Sequence, residues 1–304
     1  MNMYNYISTL EPIKQNMTIA ISVKVHDGVV LAADSASTLF SENGAVSHVY
    51  NNASKVFNLY KCNDKKPNGL PIGIMTYGLG GIGNSSISTL IKDFRNSLMD
   101  DGDQWSFNPE DYQVKKVVDD FKTFIFDQNY KPFFKEITNT PHLGFVIAGY
   151  SSKAALAEEW RIEIVNGECS EPVPIRKNEE AGIAWGGENR AVVRLILGYD
   201  PFLPNILKDM GINEVDVEKS IKFIQSKTEI HIIPPAMPIQ DAIDVARFLA
   251  ETTIMFTHFL PQAPTVGGPI DIATITKHEG FKWVTRKHYF DEKFNRRCHS
   301  GNKI

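Results

Sequence analysis

The stretch Thr18-Ile19-Ala20-Ile21-Ser22-Val23-Lys24-Val25-His26-Asp27-Gly28-Val29-Val30-Leu31-Ala32-Ala33-Asp34 reads as two strands joined by a turn. Ile19, Ile21, Val23 and Val25 alternate with Ala20, Ser22, Lys24 and His26, the period of two expected of a strand with one buried face. Asp27-Gly28 is a two-residue hairpin signal, because both residue types accept the left-handed dihedrals of a tight turn. Val29 to Ala33 then runs apolar without alternation, as in a strand covered on both sides. Asp34 stands where that strand ends, and Met17 precedes Thr18. If translation starts at Met17, removal of the methionine leaves a threonine with a hydroxyl nucleophile and a free amine base on one residue.

Working outward, Lys55-Val56-Phe57-Asn58-Leu59-Tyr60 is a short strand opened by a lysine. Ile72 to Gly78 is another, running into Gly78-Leu79-Gly80-Gly81-Ile82-Gly83. Ile87, Leu90, Ile91, Phe94 and Leu98 keep helical spacing behind a cap expected at Asn84 or Ser85. A second helix is expected to start at Asn108, with Pro109 in its first turn and Glu110 and Asp111 at its positive end. Its buried face would be Val114, Val117, Val118, Phe121 and Ile125. Strands follow at 143–150, 160–165 and 182–185. Gly186-Gly187 then leads into a helix carrying Val192, Val193, Leu195 and Ile196. A short helix is expected at 215–226 and a long one at 238–260, and a hairpin of 270–276 with 281–285 closes the pattern. Ser35–Ser54 and 61–70 read as polar connections. Strands and helices come in groups instead of alternating singly. The expected class is therefore α+β, with two sheets packed together and helices outside them, and not a doubly wound sheet.

The 304 residues, 42% hydrophobic and 22% charged, suffice for a sizeable core. A net charge of −4 does not suit a nucleic-acid binder. Cys62, Cys169 and Cys298 are odd in number and widely spaced, so neither a disulfide framework nor a zinc site is expected, and a reducing compartment, the cytoplasm, fits. The N-terminus carries no secretory pattern, and no apolar run approaches the ~18 residues that span a membrane. No cofactor or metal is expected. The glycines of 78–83 invite a nucleotide-loop reading, but no Gly-Lys-Ser/Thr accompanies them and no acidic residue follows about 20 positions on. Cys298-His299 carries no assigned role.

Together with Ser54-Lys55-Val56-Phe57-Asn58-Leu59 and Met75-Thr76-Tyr77-Gly78, the opening stretch resembles the start of a proteasome β subunit and of its bacterial relatives, the HslV peptidase and Anbu. Those proteins read threonine at the mature N-terminus, an Asp-Gly hairpin, a strand ending in Ala-Ala-Asp, a Lys-x-Phe strand and the glycine of an Ala-Gly turn. The spacing from Thr18 to Asp34 matches without a gap, and Ile270 to Thr276 resembles the late strand. The likeness covers most of residues 18–285 and is most specific early on. It implies the four-layer αββα sandwich of the N-terminal nucleophile hydrolases, with 18–285 as a single domain and 286–304 as a polar tail. Residues 1–17 would be a leader, untranslated if Met17 is the start.

The resemblance also implies roles. Thr18 Oγ would be the nucleophile and its own amine the base. Lys55 would favour the developing alkoxide and Asp34 would pair with Lys55. The Gly78 N–H would hold the oxyanion, and Ser37 and Thr38 would align an extended peptide as an added strand. The implied substrate is a peptide or unfolded protein, and the implied state is a homo-oligomeric ring or stack, with an ATPase unfoldase as an open partner. In Ala184-Trp185-Gly186-Gly187-Glu188 a glycine replaces the serine that proteasome subunits place near the amine, with Glu188 as a candidate substitute. Gln262-Ala263-Pro264-Thr265-Val266-Gly267-Gly268 lacks their aspartate. Met17 stands where self-processing precursors carry glycine, which favours an internal start over autolysis. Three readings stay open: an active threonine peptidase, a non-catalytic proteasome-like assembly protein, and a small-amide hydrolase whose pocket is reshaped by the loops at 61–70 and 199–236.

Overall fold

A computed structural model describes residues 18–40, 46–62, 69–137, 140–261 and 266–287. In chain order the elements are β1 (Ile19–Val25), β2 (Gly28–Ala33), β3 (Ser37–Phe40), β4 (Val46–Tyr50), β5 (Val56–Asn58), β6 (Ile72–Gly78), β7 (Gly81–Ile82) and β8 (Ser85–Ser86). Then come α1 (Ile87–Met99), α2 (Val114–Lys122), a π-helical run Thr123–Tyr130, α3 (Lys131–Phe134), β9 (Leu143–Gly149), β10 (Glu158–Val165), β11 (Glu168–Cys169), β12 (Val173–Pro174) and β13 (Gly182–Gly187). The chain continues through α4 (Arg190–Ile196), α5 (Leu203–Asp209), α6 (Glu214–Thr228), α7 (Ile239–His258), β14 (Asp271–Thr276) and β15 (Gly280–Thr285).

The architecture is mixed α and β with antiparallel sheets. One sheet runs β13-β1-β2-β14-β15, and the other runs β11-β10-β9-β6-β5 with β12 also paired to β10. Side chains alternate across each strand, so the central strands of the two sheets feed two cores each. Ala20, Leu31, Met75, Val146 and Ile275 meet between the sheets. Ile19, Ile21 and Val23 turn the other way, onto Val192 of α4 and Ala246 and Leu249 of α7. Ile74, Phe145 and Ile162 pack on Phe94 of α1 and Val118 and Phe121 of α2.

The structure corrects several expectations. The second face of β1 is not solvated: Ala20, Ser22 and Lys24 are buried against the opposite sheet. Ser22 Oγ donates to Glu159 of β10, Arg176 Nε lies 2.8 Å from Glu159 Oε2 without the alignment of a hydrogen bond, and Lys24 Nζ donates to Lys177 O at 3.2 Å. Burial pushes the Lys24 ammonium below its usual value, with Glu159 opposing. The second helix begins at Val114, not Asn108. Asn108 instead closes a turn, its Oδ1 accepting from Glu110 N at 3.0 Å, while Ser151 Oγ accepts from Val114 N at 2.9 Å. Ser86, and neither Asn84 nor Ser85, caps α1 by accepting from Thr89 N at 3.0 Å. The polar connection 35–54 contains the β3–β4 hairpin, α5 occupies a stretch with no clear pattern, and Leu195 is exposed instead of facing the core. Among the described residues, no helix is long and apolar enough to cross a membrane.

Candidate active site

Three residues far apart in sequence converge at the ends of their strands. Thr18 heads β1, Asp34 follows β2, and Lys55 precedes β5 on the other sheet. Lys55 Nζ donates to Thr18 Oγ1 at 2.8 Å and to Asp34 Oδ1 at 2.6 Å. The Asp34 carboxylate is held at both oxygens: Oδ1 also accepts from Ile19 N at 3.1 Å, and Oδ2 accepts from Ala36 N at 3.1 Å and Gly267 N at 3.0 Å. Such saturation orients a carboxylate and offsets the cost of burying it. Burial pushes the Lys55 ammonium below its usual value, and the charge and hydrogen bond of Asp34 oppose that fall.

The Thr18 carbonyl is fixed too. It accepts from Glu188 N at 2.6 Å, while Gly187, at φ +83°, passes so close that a Cβ there would fall 1.9 Å from Thr18 O. Only glycine fits that approach. The Glu188 carboxylate is bound by Arg190, whose Nε and Nη2 donate to its two oxygens at 2.8 and 2.9 Å. Glu188 thus meets Thr18 through its backbone N–H, and its carboxylate is engaged by Arg190.

Thr18, Lys55, Ser37 and Gly78 line one cavity of about 300 Å³, together with Leu79, Gly80 and the N-terminal residues of α1. Gly78, at φ +93°, ends β6, and a Cβ there would fall 2.3 Å from His142 O. Thr38 belongs to β3, paired with Val49. Residues 1–17 and 262–265, which include Met17 and the first four residues of the stretch lacking the aspartate, lie outside the described residues, as do 288–304.

The sequence pattern did not single out a second ion pair behind the first. Lys287, near the start of the stretch read as polar tail, pairs with Asp271 of β14. Its Nζ also donates to Ser35 Oγ at 2.7 Å, beside Asp34. Nothing local marks Lys287, since its partners come from other parts of the sheet.

Neither a family model nor a curated protein sequence matches the chain. Among solved structures it is similar to Anbu (ancestral beta-subunit) from Yersinia bercovieri, at TM-score 0.47 and 10% identity over 89% of this chain and 88% of that one. It is also similar to the helical assembly of the Anbu complex from Pseudomonas aeruginosa, at TM-score 0.47 and 12% identity over 89% and 88% of the two chains. A third likeness is to an Anbu mutant from Hyphomicrobium sp. strain MC1, at TM-score 0.47 and 12% identity over 91% and 90%.

Proposed function

We propose that this chain is a threonine-type hydrolase of peptide or related amide bonds, acting from an N-terminal Thr18 on an αββα sandwich spanning 18–285. The observation that carries the reading is Lys55 Nζ, buried and shared between Thr18 Oγ1 at 2.8 Å and Asp34 Oδ1 at 2.6 Å at the wall of a cavity that also holds Gly78. A structural threonine has no need of a buried ammonium, which is costly to desolvate.

In this mechanism the Thr18 amine, with an α-amine pKa of ~7.7–8.0, takes the proton of Oγ through a water. Oγ bonds to the scissile carbonyl carbon, and Lys55 lowers the cost of the charge on Oγ. The Gly78 N–H receives the oxyanion, a type of donor worth about 3–4 kcal/mol. The C–N bond then breaks as the ammonium returns its proton to the leaving amine. Water activated by the same amine hydrolyses the ester. Ser37 lines the cavity, and Ser37 with the β3 backbone at Thr38 would align an extended peptide. A homo-oligomer in the cytoplasm belongs to the same reading.

The engagement of Glu188 by Arg190 favours a second reading, a proteasome-like assembly protein without catalysis, because that carboxylate is then shared with a guanidinium. Hydrolysis of a panel of fluorogenic peptide amides by the chain beginning at Thr18 separates the two. Turnover that disappears in Thr18→Ala supports the hydrolase. No turnover on any peptide, with a stable oligomer, supports the assembly protein.

A further inference from the structure

Thr18 and Gly78 stand on different sheets, so their separation depends on how the sheets are held against each other. Tyr77, next to Gly78 on β6, is buried and lies between two strands that carry no side chain where it passes. A Cβ on Gly144 of β9 would fall 2.2 Å from its ring, and one on Gly186 of β13 would fall 2.4 Å from it. The Tyr77 hydroxyl donates to Glu163 Oε1 of β10 at 2.8 Å. Arg161 Nη1 lies 4.0 Å from the same oxygen, and Arg161 Nη2 donates to Trp185 O of β13 at 3.1 Å. His142 flanks the group, its Nε2 3.8 Å from Glu163 Oε2 and its ring edge-on to Tyr77 at 5.7 Å. Burial alone would raise the Glu163 carboxyl; His142, Arg161 and the Tyr77 hydroxyl outweigh it and hold the group below the usual carboxylate range. The circuit closes from β6 through β10 to β13, and Gly186 directly precedes the Gly187-Glu188 pair that grips the Thr18 carbonyl.

We propose that Tyr77 is a positioning residue that sets Gly78 on one sheet against Thr18 on the other, through its hydroxyl on Glu163 and its ring on Gly144 and Gly186. This rests on the reading of Thr18 as nucleophile and Gly78 as oxyanion donor. Tyr77→Phe keeps the ring and removes only the hydroxyl, so a pure packing role would leave it silent. Glu163→Gln cuts the same link from the other end and serves if Tyr77→Phe fails to fold. In the chain bearing a free Thr18, each variant is expected to lower kcat on a peptide amide about 10- to 100-fold with KM within about twofold, the loss that follows a misplacement of order 1 Å. Amide hydrogen exchange is expected to quicken in peptides covering 72–80 and 183–190, and not in 214–228. Wild-type kcat in both variants, or unchanged exchange in both segments, overturns the proposal. Absence of hydrolysis by the wild-type chain overturns the reading of Thr18 instead, and the exchange measurement then decides Tyr77 by itself.

Discussion

Gly187 and Gly211 share almost the same backbone, φ +83° and +84°, but differ in surroundings: a Cβ on Gly187 meets Thr18 O at 1.9 Å, and one on Gly211 meets nothing within 4 Å. Gly211→Ala therefore costs only the left-handed conformation, about 1–2 kcal/mol. Gly187→Ala is expected to cost more and to abolish turnover, because the Thr18 carbonyl must move; urea midpoints and activity of the pair check this. Asp34 supports a different expectation. It opposes the burial that lowers the Lys55 ammonium, so Asp34→Asn lowers Lys55 further and moves the alkaline limb of the rate profile to lower pH. The linkage has a definite sign. Between the folded value of Lys55 and its unfolded 10.5 the unfolded chain binds more protons, so stability rises with pH through that window and is lost as pH falls through the folded value. In Asp34→Asn the window extends to lower pH. At neutral pH the stranded ammonium costs about 3–5 kcal/mol.

At the scale of the elements, β1 carries the clearest lesson. Its alternation foretold the face that meets α4 and α7. The hairpin formed as expected, but its two turn residues are His26 and Asp27, and Gly28 of β2 already pairs with Val25. Neither Asp27 nor Gly28 takes the left-handed dihedrals that the Asp-Gly signal implied. The polar residues of the other face looked solvated because their partner is remote: Glu159, which takes the Ser22 hydroxyl, lies 137 positions along the chain. Glu159→Gln is expected to destabilise by about 3–5 kcal/mol, since it leaves Arg176 and Lys24 as buried cations without their carboxylate. A loss below about 1 kcal/mol, as for an exposed pair, in a denaturant titration would contradict it. The start of α2 misled for a related reason. Asn-Pro-Glu-Asp is a helix-start signature, but the Asn108 side chain bonded two residues on and made a turn, while Ser151 from a distant loop satisfied the true first turn.

Across the whole molecule, the separate sheets explain why some of the site could be read in advance and some could not. Thr18, Asp34 and Lys55 each sit at a strand end, where motif spacing carries information, and the fold joins them within hydrogen-bond distance. The Tyr77–Glu163–Arg161 circuit and the Lys287–Asp271 pair exist only once the strands are packed, so no local pattern announces them. Everything proposed for catalysis turns on whether Thr18 Oγ and a free Thr18 amine act together. A peptide epoxyketone closes a ring on a hydroxyl and the amine of the same residue. The decisive measurement is therefore the intact and fragment mass of the chain beginning at Thr18 after exposure to that reagent. The account predicts one adduct, on Thr18, absent from Thr18→Ala and strongly reduced in Lys55→Met. An unmodified Thr18 in the folded chain, or an adduct that persists in Thr18→Ala, would contradict it.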